Sequence, residues 1–492
     1  MLLMSIPALS QGWKFDYNVS SVTTAGTSSV LPFWARTVQG GYMPDMASTL
    51  VIGGADFLYT SKQGITLGAG TNLVGGIESA GSASKSTVSG IVDRLYVSAG
   101  WKMLHADVGL KPRQKDFCSL SITGGGNIVM SGYARNLPGV NIWSDWIYFE
   151  KGHWVGVKGN FAHYQMMDNR YVKGTMVHNK SLSFKFALGR KVDLEAGLDH
   201  WVQWGGVSPE RGALPASWMD YYRVIFARQG GDDAPDGDRQ NALGNHLGSE
   251  YIRVSWRTPE LKMSFQYDMP FEDGRGVVKG HNIPDGVYSL VFSFNDRKGI
   301  VTDVVCEYMQ TTWQSGDQHD RPATEEEMTT VYPDRVDAYW QRPDDFYYGK
   351  IVIGGRDFYF YNGDYKSGWT YHGKVLGLPL MLPESPDENG IVKGIANNRV
   401  RAGHIGLKGN LGSIPYSFKA TYSSNWGTYS TSEDSMYYSR PWQLSLAMEL
   451  EFGRNITNLP LSFALGAYAD YGKLYLNSVG LSLRVTCGNR LQ

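Results

Sequence analysis

The chain has 492 residues but only three cysteines, Cys118, Cys306 and Cys487. No more than one pair can bridge, which excludes a disulfide framework, and the spacing fits no zinc motif. Neither charge is in surplus: Lys+Arg is 46 and Asp+Glu is 47. Phosphate neutralisation supplies most nucleic-acid affinity, so the chain has no means of drawing in a polyanion, and nucleic acid is set aside as a partner. No apolar run approaches the roughly 18 residues of a membrane-spanning helix. A phosphate loop and an HExxH pair are missing, and "GGVSPE" lacks the glycine that a serine elbow needs two residues after Ser208. Read as a calcium loop from Asp232, "GGDDAPDGD" (Gly230–Asp238) fails at Ala234 and again at Leu243. No enzyme, cofactor or metal is expected. A hydrolase assembled from distant strands would leave no local motif and stays as a distant rival.

Turn-formers and aromatics are abundant, with 59 Gly, 30 Tyr and 15 Trp. That mixture fits an all-β protein with many strands and turns. The dominant period is two. In "WQLSLAMELEF" (442–452), Trp442, Leu444, Leu446, Met448, Leu450 and Phe452 alternate with smaller or polar residues. "LKMSFQYDM" (261–269), "LSFKFAL" (182–188) and "IPYSFKATY" (414–422) do the same. Successive strand side chains point to opposite faces, so each stretch has one apolar and one polar face. Alternation and turn signals predict eighteen strands between residues 13 and 486, among them 138–150, 152–167 and 299–313.

Connections of one parity are short: "SKQ" after the second strand, Arg190 after the eighth, "TP" after the tenth. Those of the other parity hold the long ones, near 22–47, 113–137, 205–248, 270–285 and 314–399. In an antiparallel sheet that gathers the long loops at one end, as in an outer-membrane barrel with short periplasmic turns and long extracellular loops folding over or into the lumen. The expected architecture is a closed antiparallel transmembrane β-barrel of about 18 strands in residues 11–492. Both termini are then periplasmic. Residues 1–10, "MLLMSIPALS", read as the remainder of a signal peptide. The final "VTCGNRLQ" lacks the aromatic terminal residue common in such barrels.

Several stretches resemble the capsule-assembly outer-membrane proteins of the Wzi family, in the form found in Bacteroides-like bacteria. They include "LPFWARTVQGG" (31–41), "ITGGGNIVMSGYARNLPGV" (122–140), "WVQWGGVSP" (201–209) and "NALGNHLGSEY" (241–251). "MPFEDGRG" (269–276), "IPDGVYSL" (283–290), "EYMQTTWQSG" (307–316) and "NNRVRAGHIGLKG" (397–409) continue the series. The resemblance implies an eighteen-stranded outer-membrane lectin without catalysis, which anchors capsular or exopolysaccharide. Its implied partners are surface polysaccharide, outer-membrane lipid or lipopolysaccharide, and other outer-membrane proteins. Enterobacterial members carry a periplasmic helical plug, and this chain shows no N-terminal segment of period 3.6 to match it. The rivals are a saccharide porin or transporter and a structural subunit of a larger assembly.

"GRDFYFYNGDYKSGWTYHGKVLG" (355–377) mixes rings with glycine and hydrogen-bonding side chains. Sugar C–H faces stack on rings and sugar hydroxyls need donors and acceptors, which makes Arg356, Asp357, Tyr359, Tyr365, Trp369 and Tyr371 candidates for polysaccharide contact. The plainer reading is a loop that plugs the pore with its rings as a small core, and the two roles are compatible. Trp201, Trp313 and Gln314 are further candidates, with girdle or loop-base packing the commoner role for such positions. Trp204 faces the lipid and Trp201 the lumen, or the reverse. Arg399 and Arg401 share one strand face and are placed to line the lumen, where they bind an anionic sugar or pair with Glu449 and Glu451.

Overall fold

The computed structural model describes residues 12–37, 40–79, 87–149, 152, 154–272, 282–315, 357–453 and 461–489. Its strands are β1 (Gly12–Gly26), β2 (Ser48–Thr60), β3 (Ile65–Glu78), β4 (Thr87–Trp101), β5 (Leu104–Leu110) and β6 (Pro138–Ser144). There follow β7 (Val155–Gln165), β8 (Met176–Leu188), β9 (Val192–Trp204), β10 (Asn245–Arg257), β11 (Leu261–Glu272) and β12 (Gly286–Phe294). The last six are β13 (Asp303–Gln310), β14 (Val400–Leu411), β15 (Ile414–Asn425), β16 (Trp442–Phe452), β17 (Leu461–Gly472) and β18 (Ser478–Gly488). β6 resumes after a two-residue interruption as Ile147–Tyr148, and both pieces pair with β7. Every pairing is antiparallel between sequence neighbours, and β1 closes the sheet against β18 from Asn18↔Gly488 to Gly26↔Gly480. The result is the closed eighteen-stranded barrel that the alternation predicts. Closure leaves no row of unpaired backbone groups, which hydrocarbon could not satisfy.

The period of two becomes an outside and an inside. On β8, Leu182, Phe184, Phe186 and Leu188 point out and are exposed, while Lys185 points in. On β4 and β18, Leu95 and Leu481 are well exposed, at 59% and 61%. Phe15, Tyr17 and Val19 of β1 extend the same belt. So continuous an apolar exterior is foreign to a protein surface in water and is what a bilayer solvates. The interior is polar: Arg253 pairs with Glu195 at 3.0 Å, Lys185 with Glu195 at 2.9 Å, and Arg257 with Asp193.

At one rim the connections are short, as at 61–64, 102–103, 189–191 and 412–413. The opposite rim carries 27–47, 111–137, 205–244 and 311–399, and is called here the long-loop rim. The strand expected over 299–313 is shorter, Asp303–Gln310. Its first residues belong to a turn held by the Arg297–Asp303 ion pair at 2.7 Å and by Asn410 bonding to the Arg297 carbonyl. The three cysteines are free.

Candidate functional site

Three segments from the long-loop rim fill the lumen: the helical turn α1 (Phe33–Arg36), residues 111–137 and residues 357–399. Their chain is mostly irregular, so its N–H and C=O groups need outside partners. Inward-facing wall residues supply them. Asp470 of β17 accepts from the Phe33 N–H (2.9 Å), Glu307 of β13 from Ile122 (2.6 Å), and Asp268 of β11 from Ile128 (2.8 Å). Asp199 of β9 accepts from the Asn127 amide (2.8 Å), and Glu272 of β11 from the Phe360 N–H (2.5 Å). His404 of β14 bonds the Leu120 carbonyl, and Lys419 of β15 donates to the Tyr133 hydroxyl. These attachment points lie on β9 to β17; on the other half of the wall Asn136 donates to the Asp93 carbonyl of β4 at 2.9 Å, and Lys158 of β7 donates to Asp116. Bonds to a carboxylate are the stronger kind, roughly 1.5–3 kcal/mol each.

The sequence candidates separate into three groups. Around Asp285 the structure brings together Trp313 and Gln314, whose N–H groups bond its carboxylate at 2.9 and 2.7 Å, and Tyr359, whose hydroxyl donates at 3.0 Å. Burial, with the nearby Asp285 carboxylate, holds the Tyr359 phenol well above its ordinary pKa. Asp357 joins this group by accepting from Asn282 at 2.9 Å. Gln314 is fully buried, whereas Trp313 is 37% exposed.

The second group is the core of the plug. Tyr365, Trp369 and Tyr371 are buried, and Trp369 gives its indole N–H to the Val129 carbonyl at 2.6 Å. Trp201 of β9 packs on Trp369 with ring centroids 5.5 Å apart. Arg170, also buried, donates to the carbonyls of Gly368 and Thr370. Trp201 faces the lumen, and Trp204 faces outward.

Arg399 and Arg401 form the third group and are not in the lumen. Val400, Ala402 and His404 take the inward positions of β14, so Arg401 shares the outward face with Ile405. Arg399 lies 3.9 Å over the Tyr429 ring, and Arg401 bonds Thr312. Neither meets Glu449 or Glu451: the parity of β14 turns them away, and Glu449 instead accepts from Tyr468 at 2.8 Å. Arg356 lies outside the described residues.

Below the plug, at mid-barrel, is a cavity of about 610 Å³. Trp201, Tyr164 and Tyr251 are among its lining rings and Arg113, Arg135 and Arg253 among its lining cations, with Trp201 itself wholly buried behind its neighbours. The Arg113 guanidinium lies 4.5 Å over the Trp201 ring, with Tyr164 stacked on the other neighbour at 6.0 Å. Arg94, Lys111, Lys158 and Arg484 add further cations against the carboxylates of Asp93, Asp116 and Asp199. The Trp201 indole N–H and one Arg113 Nη are buried with no hydrogen-bond partner. Arg94, Lys111, Arg113, Lys158 and Arg253 are ion-paired, with Asp56, Asp107, Asp199, Asp116 and Glu195. Rings together with this many cations suit a ring-shaped, hydroxylated, anionic ligand. Sequence reasoning found only Trp201 of this set. Tyr251 and Arg253 sit two apart on β10 and share its inward face, a signal that alternation alone could have supplied. Among the described residues no three His, Cys, Asp or Glu side chains converge to hold a metal ion.

No family model matches the chain, and no curated protein does. Among solved structures it is similar to Wzi of Escherichia coli, a carbohydrate-binding outer-membrane β-barrel involved in group 1 capsule assembly. Identity is 14%, over 97% of this chain and 85% of that one, with a TM-score of 0.56. OccAB4 of Acinetobacter baumannii has 9% identity over 98% of this chain and 99% of its own, with a TM-score of 0.47. OprD of Pseudomonas aeruginosa has 9% identity over 97% and 94%, with a TM-score of 0.44. The Wzi similarity, at that identity, is one of fold. With the apolar belt it makes the chain a barrel of the outer-membrane kind.

Proposed function

We propose that the protein is a non-enzymatic outer-membrane barrel that binds surface polysaccharide and holds it at the cell surface. The long-loop rim faces outward and both termini lie in the periplasm. One observation carries the reading: a plug bonded to the wall on several strands, over a cavity lined by aromatic rings and arginines. A pore meant for free passage has little use for a wall-to-wall filling. The fold shared with a carbohydrate-binding barrel supports the same ligand class. Tyr251, Arg113 and Arg253 are the proposed contacts, with Trp201 as the buried ring on which Arg113 rests, and their cationic surroundings favour acidic sugars. Trp313, partly exposed, is the proposed stacking ring at the rim. Tyr359, Tyr365, Trp369 and Tyr371 act one step back, by building the plug.

Gene deletion followed by imaging of attached against shed polysaccharide tests the reading in the cell. Attached material should fall and shed material rise; an unchanged surface layer would refute it. In vitro, Arg253→Gln should weaken binding of an acidic oligosaccharide and spare a neutral one. Large, steady single-channel currents from the unaltered protein in planar bilayers would favour the porin instead.

A further inference from the structure

The first part of the connection 205–244 touches the plug, where Arg211 pairs with Asp364 at 2.7 Å and Leu214 packs with Tyr365, but its helix packs on the other side of the wall. It leaves β9 through Gly205, whose φ of 60° is left-handed, and a side chain there would meet Met176 at 2.6 Å. The chain then folds back over the outside of the barrel. Helix α2 (Trp218–Ile225) begins at Ser217, whose hydroxyl accepts from the Asp220 N–H while the Asp220 carboxylate accepts from the Ser217 N–H. Its inner side rests on outward-facing wall residues. Tyr221 stacks on Trp204 at 5.2 Å and meets His163 and His178 edge-on at 5.3 and 5.5 Å. Val224 is buried with Val202 and Leu243, and Lys180 on the outer face of β8 donates to the Ile225 carbonyl.

The opposite side of the helix is also apolar, and nothing among the described residues covers it. Trp218 is 88% exposed, Met219 58%, Tyr222 51% and the following Phe226 56%. Trp218, Tyr222 and Phe226 recur at every fourth position and form one stripe, the last two rings 4.8 Å apart.

We propose that α2 is a strap seated at the membrane interface, with this stripe immersed in the lipid acyl chains beside the barrel's own belt. Register carries the argument. Lys180, which holds the end of the helix, pairs directly opposite Phe161 across β7 and β8, and Leu182 is the next outward residue on β8. Phe161 and Leu182 are exposed belt residues, so the stripe continues the belt without a break. Trp and Tyr are the residue types enriched at this depth, and a short helix lying in the interface with one apolar face is a known mode of lipid contact. Backbone facing lipid must satisfy its own hydrogen bonds, and the chain is a capped helix at this place. The leaflet it enters follows from the orientation proposed above; the immersion itself does not.

The test labels Met219→Cys with an environment-sensitive fluorophore, in full-length protein whose Cys118, Cys306 and Cys487 are changed to alanine, reconstituted in phosphatidylcholine vesicles. Leu182→Cys in the belt and Lys62→Cys in a short turn are the references. Quenching by bilayer-resident nitroxide lipid should match the Leu182 site and exceed the Lys62 site, with aqueous iodide showing the reverse order. A label open to iodide would overturn the proposal. So would a label shielded from both quenchers in a protein that runs as a dimer, since the stripe would then meet a second copy. Should the cysteine variants fail to fold, brominated-lipid quenching of wild type against Trp218→Phe reads the same depth. The variant should lose a strongly quenched component, and an equal quenching profile would overturn the proposal.

Discussion

Two long connections leave the same rim and go opposite ways. Residues 357–399 descend into the lumen and stay mostly irregular, with only two short ladders, whereas 205–244 folds over the outer wall and becomes helical at α2. Both obey one rule, that backbone polar groups must be satisfied. Inside, the wall offers Glu272, Asp268 and Glu307, so the plug needs little regular structure of its own. Outside, the wall offers mostly rings and aliphatic carbon, so the strap must bond to itself, and it does so through a helix and a capping box. Irregular chain tolerates membrane depth only where protein surrounds it, and these two regions show both sides of that condition.

The sharpest way to break the comparison is to empty the plug. Trp369 is wholly buried, packs on Trp201 and bonds Val129. Trp369→Ala should cost the plug about 3–5 kcal/mol, the usual range for removing a buried large ring. Hydrogen exchange should rise through 357–399 and 127–131 while the strands and α2 stay protected. Equal loss of protection in α2 would mean that the two regions are not independent.

A smaller effect comes from removing one wall attachment. Glu307→Ala leaves the Ile122 N–H and the Ser121 and Ser289 hydroxyls without their shared acceptor. Loosening of 111–137 by about 1–3 kcal/mol is expected, the penalty for buried donors left unpaired. Exchange rates in that segment measure it. If only 357–399 responded, the wall bonds would not be what holds each segment.

The barrel was legible in the sequence because its physics is local: one strand shows its two faces by alternation, and turn residues mark its ends. β6 shows the limit, since the 138–150 pattern hides the interruption at Asp145 and Trp146. The site was far less legible. Asp268 in "FQYDMP" looks like any polar residue on a lumenal face, and its partner Ile128 is 140 positions away. The aromatic run 355–377 was noticed for its composition, but composition does not say that Tyr359 and Trp369 spend their polar atoms on Asp285 and Val129. Arg399 and Arg401 were correctly placed on one face, but the pairing that decides which face is inward lies in strands far along the chain. Whether a long loop enters the lumen or wraps the wall has no signature of period at all.

The mildest perturbation acts on the strap alone. Ser217 closes the N-terminus of α2 by accepting from the Asp220 N–H at 3.2 Å and donating to its carboxylate at 2.7 Å. Ser217→Ala removes both bonds and should destabilise the helix by about 1 kcal/mol, the typical cost of losing an N-cap. If the strap folds by its own hydrogen bonds, exchange should quicken in 218–226 and remain unchanged in the plug. Keeping the cap with Ser217→Thr should leave the rate near its original value, because the threonine hydroxyl accepts the same N–H and donates to the same carboxylate. Insensitivity of α2 to Ser217→Ala would mean that Tyr221 and Val224, packed on the wall, hold the helix without help from its own cap, and the contrast between a wall-bonded plug and a self-bonded strap would then fail.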